Sequence, residues 1–164
     1  MNRKAFVFIV IVAMLIATFF VAGRVKRKSN PSINLSGLAL KNLSGNEITL
    51  SQFTNKPLVV NFWGTWCGPC LQKFDAFENV QKKYSGQINF IMVSDEPLDK
   101  IKKFQQKNNY PFLFAHSQKP FDDFGIASVP VTYLYNASGK LFTTKNGALA
   151  EEEQNELIEN MLKP

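Results

Sequence analysis

Stretches of apolar and polar residues along the chain predict an α/β domain. Leu58–Trp63 and Ile88–Ser94 are nearly continuous apolar runs, which is typical of strands buried on both faces. From Cys70 to Tyr84 the apolar positions recur at spacings of three and four residues, which predicts a helix directly after the first strand. An amphipathic helix is predicted over Leu98–Asn108. A further helix is predicted over Glu151–Leu162, with acidic residues in its first turn, where the helix dipole favours them.

Two hairpins complete the predicted domain. Each consists of two short segments of loosely alternating polarity around a turn that contains Asn, Ser and Gly. The first pairs Leu38–Leu43 with Glu47–Leu50, the second pairs Val131–Tyr135 with Lys140–Thr144, and Phe112–Ala115 is a further short strand. Elements in this order predict a central mixed β-sheet covered on both faces and flanked by helices, with an N-terminal β-hairpin.

The N-terminal segment predicts a membrane anchor. Ala5–Gly23 is a run of 19 residues without a charge. As a helix that rises about 1.5 Å per residue, it nearly matches the ~30 Å hydrocarbon core of a bilayer. The end of the run makes a poor signal-peptide cleavage site, so an uncleaved transmembrane helix is favoured over a cleaved signal. We predict an anchor over residues 1–28, a linker over 29–36 and a folded domain over 37–164.

The net charge of +6 is confined to the N-terminus. Residues 1–28 hold six of the 19 basic residues and no acidic residue, so residues 29–164 carry 13 of each sign. Basic flanks beside an apolar run suit anionic lipid headgroups. The sequence has no basic stripe interleaved with aromatic residues, which is the pattern that would indicate nucleic-acid binding. Two basic residues precede the run and four follow it, which by the positive-inside rule favours a cytoplasmic domain. The chemistry described next favours the opposite orientation.

The two cysteines of the chain lie close together, in Cys67-Gly68-Pro69-Cys70. Because this segment joins a predicted strand to a predicted helix, Cys67 falls at or just before a helix N-terminus. Free N–H groups and the helix dipole lower the pKa of a thiol there. Pro69 suits the first helical turn, where its missing N–H costs nothing. The spacing predicts a two-step exchange in which Cys67 attacks a disulfide and Cys70 resolves the mixed disulfide.

Two other uses of such a cysteine pair are disfavoured. A structural zinc site needs four ligands, and the chain has no third cysteine and a single histidine, His116. A purely structural disulfide that closes so small a loop would restrain little of the unfolded chain. The prediction is therefore redox chemistry of the cysteines themselves, with no metal and no cofactor.

The segment FWGTWCGPC at residues 62–70, followed by Val129-Pro130 and VTYLYNASGKL, resembles the thioredoxin superfamily. More narrowly, the chain is similar to the TlpA/ResA-like membrane-anchored disulfide reductases, since it also has the leading hairpin LALKNLSGNEITLSQF and the stretch VSDEP. The resemblance covers residues 35–162. It implies a thioredoxin-like fold and reduction of protein disulfides outside the cytoplasm, often linked to cytochrome c maturation.

The same resemblance implies roles for residues around the two cysteines. Pro130 would be a cis-proline that faces them, and Val129 would pair through its backbone with the bound substrate. Trp66 would flank the reactive thiolate, and Gly68 and Pro69 complete the predicted substrate-binding and supporting residues.

Two positions depart from the family pattern. Thioredoxins carry a buried Asp in the place of Asn61, and TlpA/ResA-like proteins often carry Glu in the place of Lys73. Either carboxylate can take up the proton of the resolving thiol, so the chain offers no evident internal base for Cys70. Lys73, predicted one turn beyond Cys70 on the same helix face, could lower the pKa of that thiol, but an ordinary exposed lysine is the favoured interpretation. Trp63 is predicted to pack in the core, and His116 to lie in a loop after a short strand.

The leading hypothesis is a single-pass, membrane-anchored thiol–disulfide oxidoreductase whose domain lies outside the cytoplasm and reduces disulfides of exported proteins. Its partners would be a protein disulfide, the membrane, and an upstream electron donor of membrane or thioredoxin type. A thiol peroxidase is disfavoured, because peroxiredoxins carry Thr three residues before their reactive cysteine and this chain carries Gly64 there. A membrane-tethered assembly factor that grips clients with the two thiols without turnover is the remaining alternative.

Overall fold

The computed structural model describes residues 11–14, 33, 37–53 and 55–163. The β-strands of the domain are β1 (Leu40–Asn42), β2 (Glu47–Ile48), β3 (Leu58–Phe62), β4 (Asn89–Ser94), β5 (Leu113–Ser117), β6 (Val131–Tyr135) and β7 (Leu141–Asn146). Its α-helices are α1 (Gly68–Leu71), α2 (Phe74–Lys83), α3 (Leu98–Asn108) and α4 (Glu151–Leu162). Short 3-10 helices, Leu50–Phe53 and Phe121–Phe124, precede β3 and β6.

The strands form one mixed sheet in the order β2-β1-β5-β4-β3-β6-β7. The central strands β5, β4 and β3 are parallel, and parallel neighbours need crossover connections. The helices α1 and α2 connect β3 to β4, and α3 connects β4 to β5. β1 pairs antiparallel with β2 and β5, β6 with β3, and β7 with β6. The predicted mixed sheet, its flanking helices and its N-terminal hairpin are therefore confirmed.

Successive residues of the central strands point to opposite faces and build two apolar clusters. In β3, Val59 belongs to one cluster and Val60 to the other. The first cluster is completed by the α-helices, through residues such as Phe74 and Ile101. The 3-10 helices contribute to the second, as Phe121 does. Both faces of the sheet are covered, as predicted, but the α-helices pack on one face and the 3-10 helices on the other.

The predicted transmembrane helix, Ala5–Gly23, lies outside the described residues except for 11–14, which are helical. Most of the predicted linker over 29–36 also lies outside them. Among the residues that are described, no helix is both long enough and apolar enough to cross a membrane.

The predicted continuous helix from Cys70 to Tyr84 is wrong, because the chain forms two helices there. The backbone N–H of Lys73 bonds to the carbonyl of Cys70 at 3.2 Å, three residues back, so the turn tightens. Lys73 then leaves helical geometry, with φ −110° and ψ 0°, and the next helix starts at Phe74. Lys73 is thus the N-terminal cap of α2, and it does not share a continuous helix face with Cys70.

The placement of His116 in a loop is also wrong. His116 lies inside β5, because that strand is paired along both edges: His116 is opposite Lys41 of β1 and opposite Ser94 of β4. Backbone pairing on both sides extends the strand to Ser117, past the apolar residues that marked it in the sequence.

Candidate active site

A tight turn after β3 places both cysteines at the start of α1. The N–H of Cys67 donates to the carbonyl of Gly64 at 3.0 Å, which closes the turn. The helix begins at Gly68, with Cys67 as its N-cap residue and Pro69 in its first turn. The Sγ of Cys67 accepts a hydrogen bond from the N–H of Cys70 at 3.2 Å. A sulfur at this position faces free N–H groups and the positive end of the helix dipole, which is the environment that the sequence predicts for Cys67.

Cys67 and Cys70 are joined by a disulfide bond of 2.04 Å. Both side chains are buried and belong to the same apolar cluster as Val59, Trp63 and Phe74. The structure therefore presents the oxidised form of a redox pair at the edge of the core. Which cysteine attacks and which resolves stays a prediction.

The segment before β6 lies against this disulfide. The Val129–Pro130 peptide bond is cis, as the resemblance implies. The carbonyl oxygen of Val129 is 3.8 Å from the Sγ of Cys67, so the chain before the proline faces the reactive pair. That Val129 pairs with a bound substrate stays a prediction.

An open cavity of about 180 Å³ is lined by Trp66, which directly precedes Cys67, and by Val129, whose carbonyl faces the Cys67 sulfur. Trp66 is 69% exposed and forms part of the wall, together with Phe121, Ile126 and Val129. The carboxylate of Asp95 adds a polar group to the lining. A largely apolar recess that includes Trp66 and Val129 can receive an extended chain whose own disulfide meets Cys67.

Glu96 is the site residue that sequence reasoning missed. Its side chain follows β4 and is only 7% exposed. Its Oε2 accepts a hydrogen bond from the backbone N–H of Thr65 at 2.5 Å, and its Oε1 accepts one from the Thr65 hydroxyl at 2.8 Å. The Nζ of Lys100 is 3.5 Å from Oε1. The stretch VSDEP pointed to this loop, but nothing in its pattern distinguished Glu96 from Asp95.

Asn61 and Lys73, the two positions that depart from the family pattern, differ in burial. Asn61 is buried in β3, and its Nδ2 donates to the hydroxyl of Thr132 at 2.9 Å. Lys73 is half-buried at the start of α2. Trp63 is fully buried, with its ring centroid 4.6 Å from that of Phe104, so its predicted core role is confirmed.

The described residues contain no group of three or more His, Cys, Asp or Glu side chains that could hold a metal ion.

The model of the AhpC/TSA family matches residues 31–143, which is more than half of the chain. The chain belongs to the AhpC/TSA family. The thioredoxin-like protein YneN of Bacillus subtilis is 28% identical to this chain over 126 residues, which are 74% of each of the two chains. The thiol-disulfide oxidoreductase ResA of the same species is 28% identical over 129 residues, 76% of this chain and 72% of ResA.

Solved structures share the fold of this AhpC/TSA member. A thiol:disulfide interchange protein of the thioredoxin family from Chlorobium tepidum superposes with a TM-score of 0.66 at 21% identity, over 85% of this chain and all of that one. StoA from Bacillus subtilis gives a TM-score of 0.63 at 21% identity, over 78% of this chain and 99% of StoA. The thioredoxin-like fold and the resemblance to ResA are thus confirmed. With its Cys67–Cys70 pair bonded, the protein is a thiol–disulfide oxidoreductase.

Proposed function

We propose that this protein is a membrane-anchored reductase of protein disulfides that acts on exported proteins outside the cytoplasm. The observation that carries the proposal is the Cys67–Cys70 disulfide at the start of α1, with the Val129 carbonyl 3.8 Å from the Cys67 sulfur and an open cavity lined by Trp66 and Val129. A reactive sulfur, a backbone edge and a recess together form a place where a second polypeptide can present a disulfide.

The reaction is two successive exchanges that conserve sulfur bonds and electrons. In the reduced protein, the Cys67 thiolate attacks a client disulfide, so a mixed disulfide forms and one client thiolate leaves. The Cys70 thiolate then attacks the Cys67 sulfur, which releases the second client thiolate and forms the Cys67–Cys70 disulfide. The client gains two electrons, and a thiol-based or membrane electron donor must return two electrons to this disulfide. The structure corresponds to the state that awaits the donor.

Reduction, rather than oxidation, is supported by the chemistry of the helix start. Gly68-Pro69 between the cysteines matches the dipeptide of reducing thioredoxins. The strong oxidants of this superfamily stabilise their thiolate far more, to a pKa of about 3.5, which favours their reduced form. Cys67 has the N-cap position and the Cys70 N–H to stabilise it. The TlpA/ResA resemblance extends the proposal to one client class, the cysteine pairs of apocytochromes c.

Turnover on insulin tests the activity. The purified full chain, kept reduced by a thiol donor, should reduce insulin disulfides at a measurable rate above that of the donor alone, and Cys67→Ser should abolish the difference. Binding of a disulfide peptide without turnover would replace the proposal with the assembly-factor hypothesis. Faster consumption of hydrogen peroxide than of insulin would replace it with the peroxidase.

The anchor and its orientation form the second part of the proposal. Ala5–Gly23 has the length and the uncharged composition of a transmembrane helix. An exchange-competent cysteine pair on a membrane tether is most useful where disulfides form, which favours a domain outside the cytoplasm. The basic residues that flank the apolar run favour the opposite orientation. After mild reduction of intact cells, a membrane-impermeant maleimide should label the protein. The variant Cys67→Ser, Cys70→Ser has no cysteine and is the control. Labelling that occurs only after lysis would contradict the orientation.

A further inference from the structure

We infer that Glu96 is a positioning residue. It holds the loop before Cys67 and so fixes the position of the Trp66 side chain for binding of a client disulfide. The inference adds a residue to the site of the proposed function, and it rests on that function because the client disulfide is part of it. It adds a residue from a different loop, 31 positions along the chain from the Thr65 that it holds.

The first step is that a buried carboxylate needs hydrogen-bond donors. At 7% exposure, the Glu96 side chain would be destabilising without partners, because a desolvated charge is costly unless it is paired or hydrogen-bonded. Both of its oxygens accept bonds from Thr65, one from the backbone N–H and one from the hydroxyl. Two bonds to a single residue fix both the place and the orientation of that residue.

The second step is that Glu96 is itself fixed to the sheet. Its own backbone N–H donates to the hydroxyl of Ser94 at 3.2 Å, and Ser94 is fully buried at the end of β4. Through Glu96, Thr65 is therefore held at a fixed position relative to the end of β4. Since Thr65 is two residues before Cys67, the same link fixes the approach to the reactive sulfur.

The third step connects Thr65 to the indole of Trp66. Trp66 is largely exposed and forms a wall of the cavity, so core packing does not hold it. Its ring lies over Gly64, where an added Cβ would be 2.7 Å from the indole Nε1. The ring thus packs over Gly64, which must lack a side chain, and Trp66 directly follows Thr65, which Glu96 holds. Release of Thr65 would let the indole and the cavity wall move together.

Hydrogen-bond geometry, and not charge, is what this role requires. The pair with Lys100 is long at 3.5 Å and the lysine is 59% exposed, so it contributes little. A glutamine can keep both bonds to Thr65, with its amide oxygen accepting from the N–H and its amide nitrogen donating to the hydroxyl oxygen. An alanine leaves both Thr65 donors without these acceptors.

The test compares Glu96→Gln and Glu96→Ala in the full chain. Glu96→Ala should lower kcat/KM for a disulfide peptide about tenfold, mostly through KM, as expected for loss of a hydrogen bond to a charged group. Glu96→Gln should stay within about threefold of the unchanged protein. Glu153→Ala removes a surface acid paired with Lys145 and should change nothing.

A spectroscopic readout separates positioning from general destabilisation. The chain has two tryptophans, and Trp63 is fully buried, so iodide-quenchable emission comes from Trp66. Time-resolved anisotropy of that emission should show faster local motion in Glu96→Ala and unchanged motion in Glu96→Gln.

Two results would overturn the inference: unchanged KM and anisotropy in Glu96→Ala, or Glu96→Gln as impaired as Glu96→Ala. If Glu96→Ala does not fold, Thr65→Val deletes only the 2.8 Å hydroxyl bond. It should shift KM and anisotropy in the same direction by less, and no shift would again overturn the inference. Failure of the unchanged protein to reduce disulfides would remove the proposed function, while the anisotropy comparison would still decide the role of Glu96.

Discussion

The side-chain amide of Asn61 donates a hydrogen bond to the hydroxyl oxygen of Thr132 at 2.9 Å, and both residues are buried. The two residues are direct partners across β3 and β6. β3 leads to the cysteine turn and β6 follows Pro130, so this bond joins the strands that carry the two halves of the site. A neutral, satisfied amide occupies the place where thioredoxins have a buried Asp.

Asn61→Asp should destabilise the protein at neutral pH and lose this effect in acid. Burial raises the pKa of a carboxyl above its unfolded value of about 3.9, so the folded state binds the proton more tightly than the unfolded state does. Stability is then retained below the unfolded pKa and lost as the pH rises through the folded pKa. Urea unfolding at several pH values should show a deficit of about 2 kcal/mol at neutral pH that shrinks towards pH 4. A deficit independent of pH would contradict this account.

Lys73→Glu should stabilise α2 and speed release of the mixed disulfide. Lys73 is a cation at the N-terminus of a helix, where the dipole favours an anion, so the change should add about 0.5 kcal/mol. The new carboxylate would also place a proton acceptor on the residue whose backbone N–H bonds to the Cys70 carbonyl. Stopped-flow release should be measured from about pH 6 to 9, which brackets the ~8.5 reference pKa of a thiol. Lys73→Gln is the control that separates loss of the cation from gain of the proton acceptor. An unchanged or slower release in Lys73→Glu would refute the idea that the chain has no internal base for the Cys70 thiol.

Tyr84→Phe should raise the pKa of Glu159. The Tyr84 hydroxyl donates to Glu159 at 3.0 Å and is the main cause that lowers the pKa of this carboxyl, followed by Lys83. A carboxyl with a lowered folded pKa contributes stability above its unfolded pKa, and this contribution is lost as the pH falls through the folded value. NMR titration should show the upward shift in Tyr84→Phe and none in the control Tyr110→Phe, since Tyr110 bonds to Asp75 instead. Equal shifts in both variants would contradict the assignment.

Regular apolar spacing predicted much of the fold. The helices Leu98–Asn108 and Glu151–Leu162 begin and end where the pattern places them. The break at Lys73 could not be predicted in this way, because one tightened turn hardly changes the spacing of the buried residues on either side. His116 was missed because a polar residue ends an apolar run, whereas pairing on both edges keeps it in the strand.

Predictability of the site depends on how local each contact is. The cysteine pair and its helix start follow from four consecutive residues, Cys67-Gly68-Pro69-Cys70. The contact of Glu96 with Thr65 exists only because β3 and β4 run parallel and deliver their following loops to the same edge of the sheet. Neither residue is unusual in its own segment, so no single-chain pattern could have paired them.

The assignment of attacking and resolving cysteines makes the last prediction. In Cys70→Ser, Cys67 can still attack a client disulfide, but a serine hydroxyl cannot resolve the product, so mixed disulfides should accumulate. Non-reducing gels and mass spectrometry of the adducts should place the client on Cys67. The double variant Cys67→Ser, Cys70→Ser should form none.

The surroundings of the two sulfurs are the reason to expect this asymmetry. Cys67 is the N-cap residue, its sulfur accepts the Cys70 N–H, and it lies 3.8 Å from the Val129 carbonyl at the proposed client edge. Cys70 lies one turn further along, inside the first turn of α1. Client adducts that form on Cys70 in Cys67→Ser more readily than on Cys67 in Cys70→Ser would reverse the roles, and equally ready adducts would contradict the asymmetry. Faster oxidation of reduced clients than reduction of oxidised ones, measured with the same peptide, would reverse the direction of electron flow.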